Sequence, residues 1–325
     1  MTTIRVADRP LLRVYTKIVA GSTFLLLLAG GMVTSTGSGL AVPDWPLSFG
    51  QVMPDMEGGV LYEHGHRMVA TFVGALIVAE ALWLWRAEPR RWVRALGWFV
   101  LAGVIVQGLL GGLTVLLRLP DPVSIGHAAL AQIVFGLTIA IALARSRGWL
   151  ERDATEAVDA RAPSLFALAA ACAAAIYLQI LLGAVVRHTG AGLAIPTFPL
   201  AYGRLVPPLE SFPVAIHFAH RAGAVLVALI AVLVVARVWR SHRHQPLFVR
   251  PALALAALLA AQIALGGWVI WSYKAAWVTT AHLGTGALLL AMALVLALRA
   301  RRHLALAPRP AHPPIRPRLV AAGAE

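Results

Sequence analysis

The chain has 325 residues, of which 59% are hydrophobic and only 13% charged. A water-soluble fold of that composition would leave far too much apolar surface in contact with water. A formal net charge of +14 would suit a nucleic-acid binder, but the cations are distributed for membrane topology, and that partner is excluded.

Apolar runs of about 20 residues span a bilayer. Eight such runs are predicted, at 15–36, 66–85, 95–117, 125–144, 164–186, 216–238, 251–272 and 278–298. The predicted fold class is therefore all-α: a polytopic membrane protein with eight transmembrane helices. With the N-terminus inside, the cytoplasmic side collects all 28 Lys and Arg except Arg67, Arg118, Arg187, Arg204, Arg221 and Lys274. This positive-inside bias puts both termini in the cytoplasm.

Residues 1–14 read as a cytoplasmic leader. The first span follows basic residues and could pass for a signal peptide. It is too long for one, and Gly37-Ser38-Gly39 offers no plausible cleavage context, so it reads as an uncleaved helix. A long outer loop rich in Gly and Pro runs from Thr36 to Gly65. A short basic turn, Arg86 to Arg94, follows the second span, and a short outer turn, Arg118 to Ser124, follows the third. Residues 148–163 form a charged cytoplasmic linker. The Pro- and Arg-rich tail, 300–325, reads as disordered or lying on anionic lipid. Cys172 is the single cysteine and lies in the fifth span, which excludes a disulfide within the chain.

The second half repeats the first. The segment from Val33 to Leu47, which contains Thr36-Gly37-Ser38-Gly39-Leu40 and Pro43-Asp44-Trp45-Pro46, aligns with Val186 to Leu200, which contains Thr189-Gly190-Ala191-Gly192-Leu193 and Pro196-Thr197-Phe198-Pro199. His66 pairs with His220, Gln107 with Gln262, Gly111-Gly112 with Gly266-Gly267, and His127 with His282. An offset that drifts by only two residues over half the chain marks an internal duplication. Each half, 15–147 and 164–299, carries an even number of spans and keeps the same orientation. The expected arrangement is two tandem four-helix bundles related by a parallel pseudo-twofold about the membrane normal.

The second span opens on Tyr62-Glu63-His64-Gly65-His66-Arg67 and the sixth on Ile216-His217-Phe218-Ala219-His220-Arg221. Glu63 and His66 are three apart, so a helix that starts by Glu63 puts them on one face. Ionisable groups at the mouth of a membrane helix are costly and usually mark function. His66, His127, His220 and His282 all fall at the outer ends of even-numbered spans. Each half thus offers two imidazoles at matching depth from two helices, as a six-coordinate haem requires. The plainer alternative is helix capping or bonding to interfacial water. Zinc would prefer a tetrahedral site with closer ligands, and Glu63, His66 and His127 could form a two-histidine, one-carboxylate iron site. Haem suits the surrounding Gly, Ala and Leu better. Gly111-Gly112 and Gly266-Gly267 allow close approach of a porphyrin or of a neighbouring helix. Arg67 and Arg221 are placed to meet haem propionates, or to snorkel to the headgroups. Where the first half has Glu63 the second has His217. That difference suggests a half that handles protons or stabilises a cation, and a half that transfers electrons. His217 could also compete with His220 as ligand.

On these residues the chain resembles the heme A synthase family from about residue 15 to 300. The likeness rests on the Thr-Gly-Ser-Gly-Leu…Pro-Asp-Trp-Pro loop, the Glu-x-x-His-Arg entry to span two, the His-Arg entry to span six, and the single histidines opening spans four and eight. The resemblance implies oxidation of the C8 methyl of haem O to a formyl group through successive hydroxylations, giving haem A for cytochrome oxidase. It implies substrate haem O between His66 and His127, with Glu63 as the catalytic carboxylate, and a haem b iron between His220 and His282. It further implies a supplying haem O synthase, an electron donor that is a quinol or a redox protein, and a bacterial inner membrane. Many members carry a cysteine pair in the first outer loop; here Ser48 stands near one such place. His64 and His188 have no role carried over. Two other functions fit the same histidines, a di-haem quinol-oxidising electron carrier and a haem-binding transporter or chaperone.

Reporter fusions test the topology: one after Pro163 and one at the C-terminus should read cytoplasmic, and one within 190–208 external. A C-terminus that reads external would move the four histidines to the cytoplasmic side and contradict the depth argument.

Overall fold

The computed structural model describes residues 8–150, 157–159 and 161–306. Much of the predicted linker at 148–163, and the tail beyond residue 306, lie outside the described residues. The helices are α1 (Pro10–Ser35), α2 (Gly58–Ala87), α3 (Arg91–Leu116), α4 (Asp121–Ala144), a single turn α5 (Arg147–Leu150), α6 (Leu165–His188), α7 (Phe212–His242), α8 (Pro246–Trp271) and α9 (Ala276–His303). All but α5 are long and apolar enough to cross a membrane. The chain is an all-helical, multi-pass membrane protein. Two short segments, β1 (Ala157–Asp159) and β2 (Leu304–Leu306), pair in parallel at the ends of the bundle.

The helices overrun the predicted apolar windows. A hydropathy window sees only the stretch that lies in hydrocarbon, while the helix continues through polar residues at the interface. The largest difference is at α2, which begins at Gly58, eight residues before the predicted span. Glu63, His66 and Arg67 therefore share one continuous helix. α1, α4, α7 and α8 each start with proline at the first or second position, where its missing N–H costs no hydrogen bond.

α1 to α4 pack as a closed ring of four, each helix touching the next and α4 returning to α1; α6 to α9 do the same. The rings meet through α1 on α9, α4 on α6, and α4 on α9. Small residues bring this seam close: a side-chain carbon on Gly31 would lie 3.2 Å from Thr280, and one on Gly136 3.1 Å from Leu294. Phe135, Ala287 and Ala291 fill it, with Phe24 beside them.

Each ring has its own apolar core, and each core occupies one end of its ring. In the first, Leu12, Val19, Val73, Ile77, Leu84, Val93, Val100, Val134 and Ile141 pack together. In the second the core includes Leu165, Cys172, Ile176, Val227, Val234, Phe248, Leu255, Leu289 and Leu296. On the four histidine-bearing helices this core begins about two turns beyond the histidine. The intervals run from His66 to Val73, His127 to Val134, His220 to Val227 and His282 to Leu289. The buried apolar core of each ring thus lies on the far side of the histidines.

That far end also carries buried ion pairs. Glu88 accepts from Arg90 at 2.7 and 2.9 Å and from Arg145 Nη1 at 2.9 Å. Burial pushes the Glu88 carboxyl up, but the hydrogen bonds and charge of Arg90 and the charge of Arg145 outweigh it, so its pKa lies below the usual carboxylate value. In the second ring Asp159 pairs with Arg237.

Candidate functional site

At the histidine end, every one of the four imidazoles lies over a glycine of the preceding helix. A side-chain carbon added at Gly30 would lie 3.0 Å from His66 Cε1, and one at Gly183 3.0 Å from His220 Cε1. The corresponding distances are 3.5 Å from Gly111 to His127 and 3.2 Å from Gly266 to His282. At Gly30, Gly183 and Gly266 the ring crowds the space a Cβ would take, whereas at Gly111 an added carbon would make ordinary contact. The next residues, Gly112 and Gly267, do the same for the outer loops: an added carbon would lie 2.7 Å from the Trp45 ring and 2.9 Å from the Phe198 ring. The glycine pairs singled out in the sequence therefore seat a histidine with one residue and a loop aromatic with the other. Gly30 and Gly183 were not visible as functional residues, since single glycines are common in apolar spans; their alignment in the repeat was the available signal.

His66 and His127 lie close enough for their charges to interact, as do His220 and His282. Nδ1 of His66, His127 and His282 is buried without a hydrogen-bond partner among the described residues. His220 differs: Gln179 Nε2 approaches its Nδ1 at 3.0 Å and donates to its carbonyl at 2.7 Å, which fixes the ring. Gln262 Nε2 lies 3.4 Å from His282 Nε2. Gln262 is matched by Gln107 in the repeat, whereas Gln179 has Leu26 at the equivalent place and so carries no repeat signal.

Glu63 is only 4% exposed. Its Oε2 accepts from the Val42 amide at 2.8 Å and its Oε1 from Arg67 Nη2 at 2.7 Å. Arg67 also donates to the carbonyls of Val42, Asp44 and Leu47 and to Ser48 Oγ. His217, 5% exposed, stands in the same setting. The Ile195 amide approaches its Nδ1 and Arg221 Nε its Nε2, both at 3.3 Å, while Arg221 donates to the carbonyls of Ile195 and Thr197. Val42 and Asp44 align with Ile195 and Thr197. The two arginines thus hold equivalent loop carbonyls.

The loops match in finer detail. Trp45-Pro46 and Phe198-Pro199 are both cis, and Gly37 and Gly190 both take positive φ, 70° and 72°. Single antiparallel bridges join Ser48 to Gln51 and Ala201 to Arg204. In the first loop the Asp44 carboxylate accepts from the Gly50 and Phe49 amides at 2.8 and 2.7 Å. These bonds, that from Gly50 foremost, hold its pKa below the usual value. Thr197 serves the second loop, its hydroxyl accepting from the Tyr202 amide at 2.8 Å. One polar pair has no counterpart: Ser48 Oγ lies 2.7 Å from His64 Nδ1, where the second half has Ala201 and Phe218. His188 lies near His127 and Asp121, across the seam.

Among the described residues, no three His, Cys, Asp or Glu side chains gather as a group that could hold a metal ion. The alternative of an iron bound by Glu63, His66 and His127 therefore lacks its geometry, and Glu63 is already committed to Arg67 and Val42. Two imidazoles in each ring of helices, three of the four with an unpartnered buried Nδ1, and an apolar core that stops short of them fit a flat macrocycle held between two histidines.

The profile of the cytochrome oxidase assembly protein family, COX15-CtaA, matches residues 56–294. A heme A synthase of Symbiobacterium thermophilum is 37% identical over 257 residues, which cover 75% of this chain and 82% of the relative. Heme A synthases of Shouchella clausii and Methylobacterium radiotolerans are 30% and 27% identical, the first over 79% of this chain and 86% of the relative, the second over 93% and 94%.

The glycine contacts predict a graded response. Gly30→Ala and Gly183→Ala should displace their histidines and lower the haem retained by purified protein several-fold. Gly111→Ala, with ordinary contact at 3.5 Å, should retain it. Haem content and the low-spin absorption spectrum measure this, and equal retention in all three would contradict the seating role.

Proposed function

The chain belongs to the COX15-CtaA family of cytochrome oxidase assembly proteins, and on that premise we propose that it is a heme A synthase of the bacterial inner membrane. Its substrate is haem O, whose C8 methyl group is oxidised to a formyl group through successive hydroxylations. The N-terminal bundle, 15–147, takes the substrate between His66 and His127. The C-terminal bundle, 164–299, holds a haem b iron between His220 and His282. Both termini are cytoplasmic, and both sites face the outer side. A haem O synthase supplies the substrate, and a quinol or redox protein exchanges electrons with the enzyme.

The observation that carries this reading is one difference in an otherwise matched pair of sites. The loop clamp, the histidine over glycine and the aromatic over glycine recur in both halves. The group beneath the arginine does not: it is the carboxylate of Glu63 in one half and the imidazole of His217 in the other. A scaffold that folds with either group does not require the carboxylate for folding, which leaves a chemical use for it. When bound, haem b supplies reversible one-electron chemistry. Glu63 supplies a buried anion one turn from His66, able to accept a proton or stabilise positive charge developing on the substrate. The ion pair with Arg67 and the Val42 amide fix its two oxygens, so little reorganisation accompanies the reaction. Arg67 and Arg221 tie each loop to its helix through the loop carbonyls. A propionate reaching either guanidinium would share donors already engaged by carbonyls.

Pigment analysis tests the proposal against the electron-carrier and transporter functions, since only a synthase changes the porphyrin. Haem extracted from cells that make haem O should contain haem A when this chain is present and none when it is absent. His220→Ala or His282→Ala should lose the low-spin haem b signal while the protein still inserts. Unchanged porphyrin in the presence of the intact chain would refute the synthase activity, and full retention of haem b in both variants would refute the ligand assignment.

A further inference from the structure

The last turn of α6 carries a cation that the ligand set leaves unexplained. Arg187 Nη2 donates to the Gly31 carbonyl at 2.7 Å and to Ser35 Oγ at 2.6 Å, both on α1. Ser35 Oγ in turn lies 3.0 Å from Thr280 Oγ1 on α9. The guanidinium therefore sits in the seam between the two bundles, at the histidine end, within electrostatic range of His282. Among the described residues it forms no ion pair with a carboxylate, and Nε and Nη1 have no hydrogen-bond partner. A guanidinium inside a membrane bundle is costly when only neutral oxygens face it, and such a group is normally paired. The repeat shows that the scaffold has no need of it. The equivalent residue on α1 is Thr34, whose hydroxyl bonds weakly back to the Gly30 carbonyl at 3.4 Å.

We propose that Arg187 is the carboxylate receptor of the C-terminal site and binds a propionate of the tetrapyrrole held by His220 and His282. The proposal rests on the haem reading above. It assigns the propionate to a cation near these histidines whose Nε and Nη1 are unengaged among the described residues, because Arg67 and Arg221 are held by loop carbonyls. Guanidinium and carboxylate match as two parallel charge-assisted hydrogen bonds. Ser35 and Gly31 hold Nη2 from the opposite bundle, so the same residue ties ligand binding in one half to the packing of the other.

Iron protoporphyrin IX and its dimethyl ester, which lacks the propionate charges, separate this role from a structural one. Both are titrated by absorbance into purified full-length protein carrying His66→Ala, which removes a ligand from the other half. With Arg187 present, the free acid should bind at least about tenfold tighter than the ester, or about 1.4 kcal/mol. Arg187→Gln should reduce that preference to about threefold or less by weakening the acid alone, and Arg187→Lys should keep much of it. Equal binding of acid and ester with Arg187 present overturns the proposal, and this comparison needs no Arg187 variant to fold. A preference undiminished in folded Arg187→Gln overturns it as well. If neither porphyrin binds, the haem reading itself fails and the proposal falls with it.

Discussion

Two guanidinium groups organise the histidine end of this protein. Arg67 and Arg221 sit in the third turns of α2 and α7 and gather carbonyls from the preceding loop, at Val42 and Asp44 in one half and Ile195 and Thr197 in the other. A loop without regular structure has unpaired carbonyls, and a fork with several donors pairs them at once. The loops so fixed press Trp45 and Phe198 onto the glycines next to those beneath His127 and His282. The arginine, the loop, the aromatic and the histidine seat therefore form one mechanical unit, present twice.

Packing reinforces that division along the membrane normal. Each ring gathers a buried apolar core at one end, and that core stops about two turns short of the histidines. The seam between rings is narrow and lined with glycine, so the two sites are held at a fixed separation.

Much of this was legible in the sequence. Eight spans follow from hydropathy because hydrocarbon thickness fixes their length, and an offset that drifts by only two residues pairs the two outer loops that the folded chain shows to match in detail. The four histidines and Glu63 stand out because ionisable residues are rare in apolar helices. What could not be read was where backbone carbonyls point. Arg67 and Arg221 stood next to histidines in sequence and so suggested propionates, yet their donors meet loop carbonyls that only the folded loop presents. Gly30, Gly183 and Gln179 were hidden because helix-face contacts depend on the rotation of a neighbouring helix. Arg187 was counted for topology, and its lack of a carboxylate partner emerges only from the seam.

The central claim is that one carboxylate, set into a duplicated scaffold, separates the chemical half from the electron-transfer half. Glu63→Gln tests it most directly, because the substitution keeps shape and removes charge, and the matching position in the other half carries the imidazole of His217 in place of a carboxylate. The measurement is pigment analysis of cells making haem O, with the haem b content of the purified variant as the control for folding. Haem b should be retained, and haem O or a hydroxylated intermediate should accumulate, with haem A formation slowed by roughly a hundredfold or more. Near-normal haem A from a Glu63→Gln protein with full haem b would contradict the account and leave Glu63 as a partner of Arg67 in holding the loop.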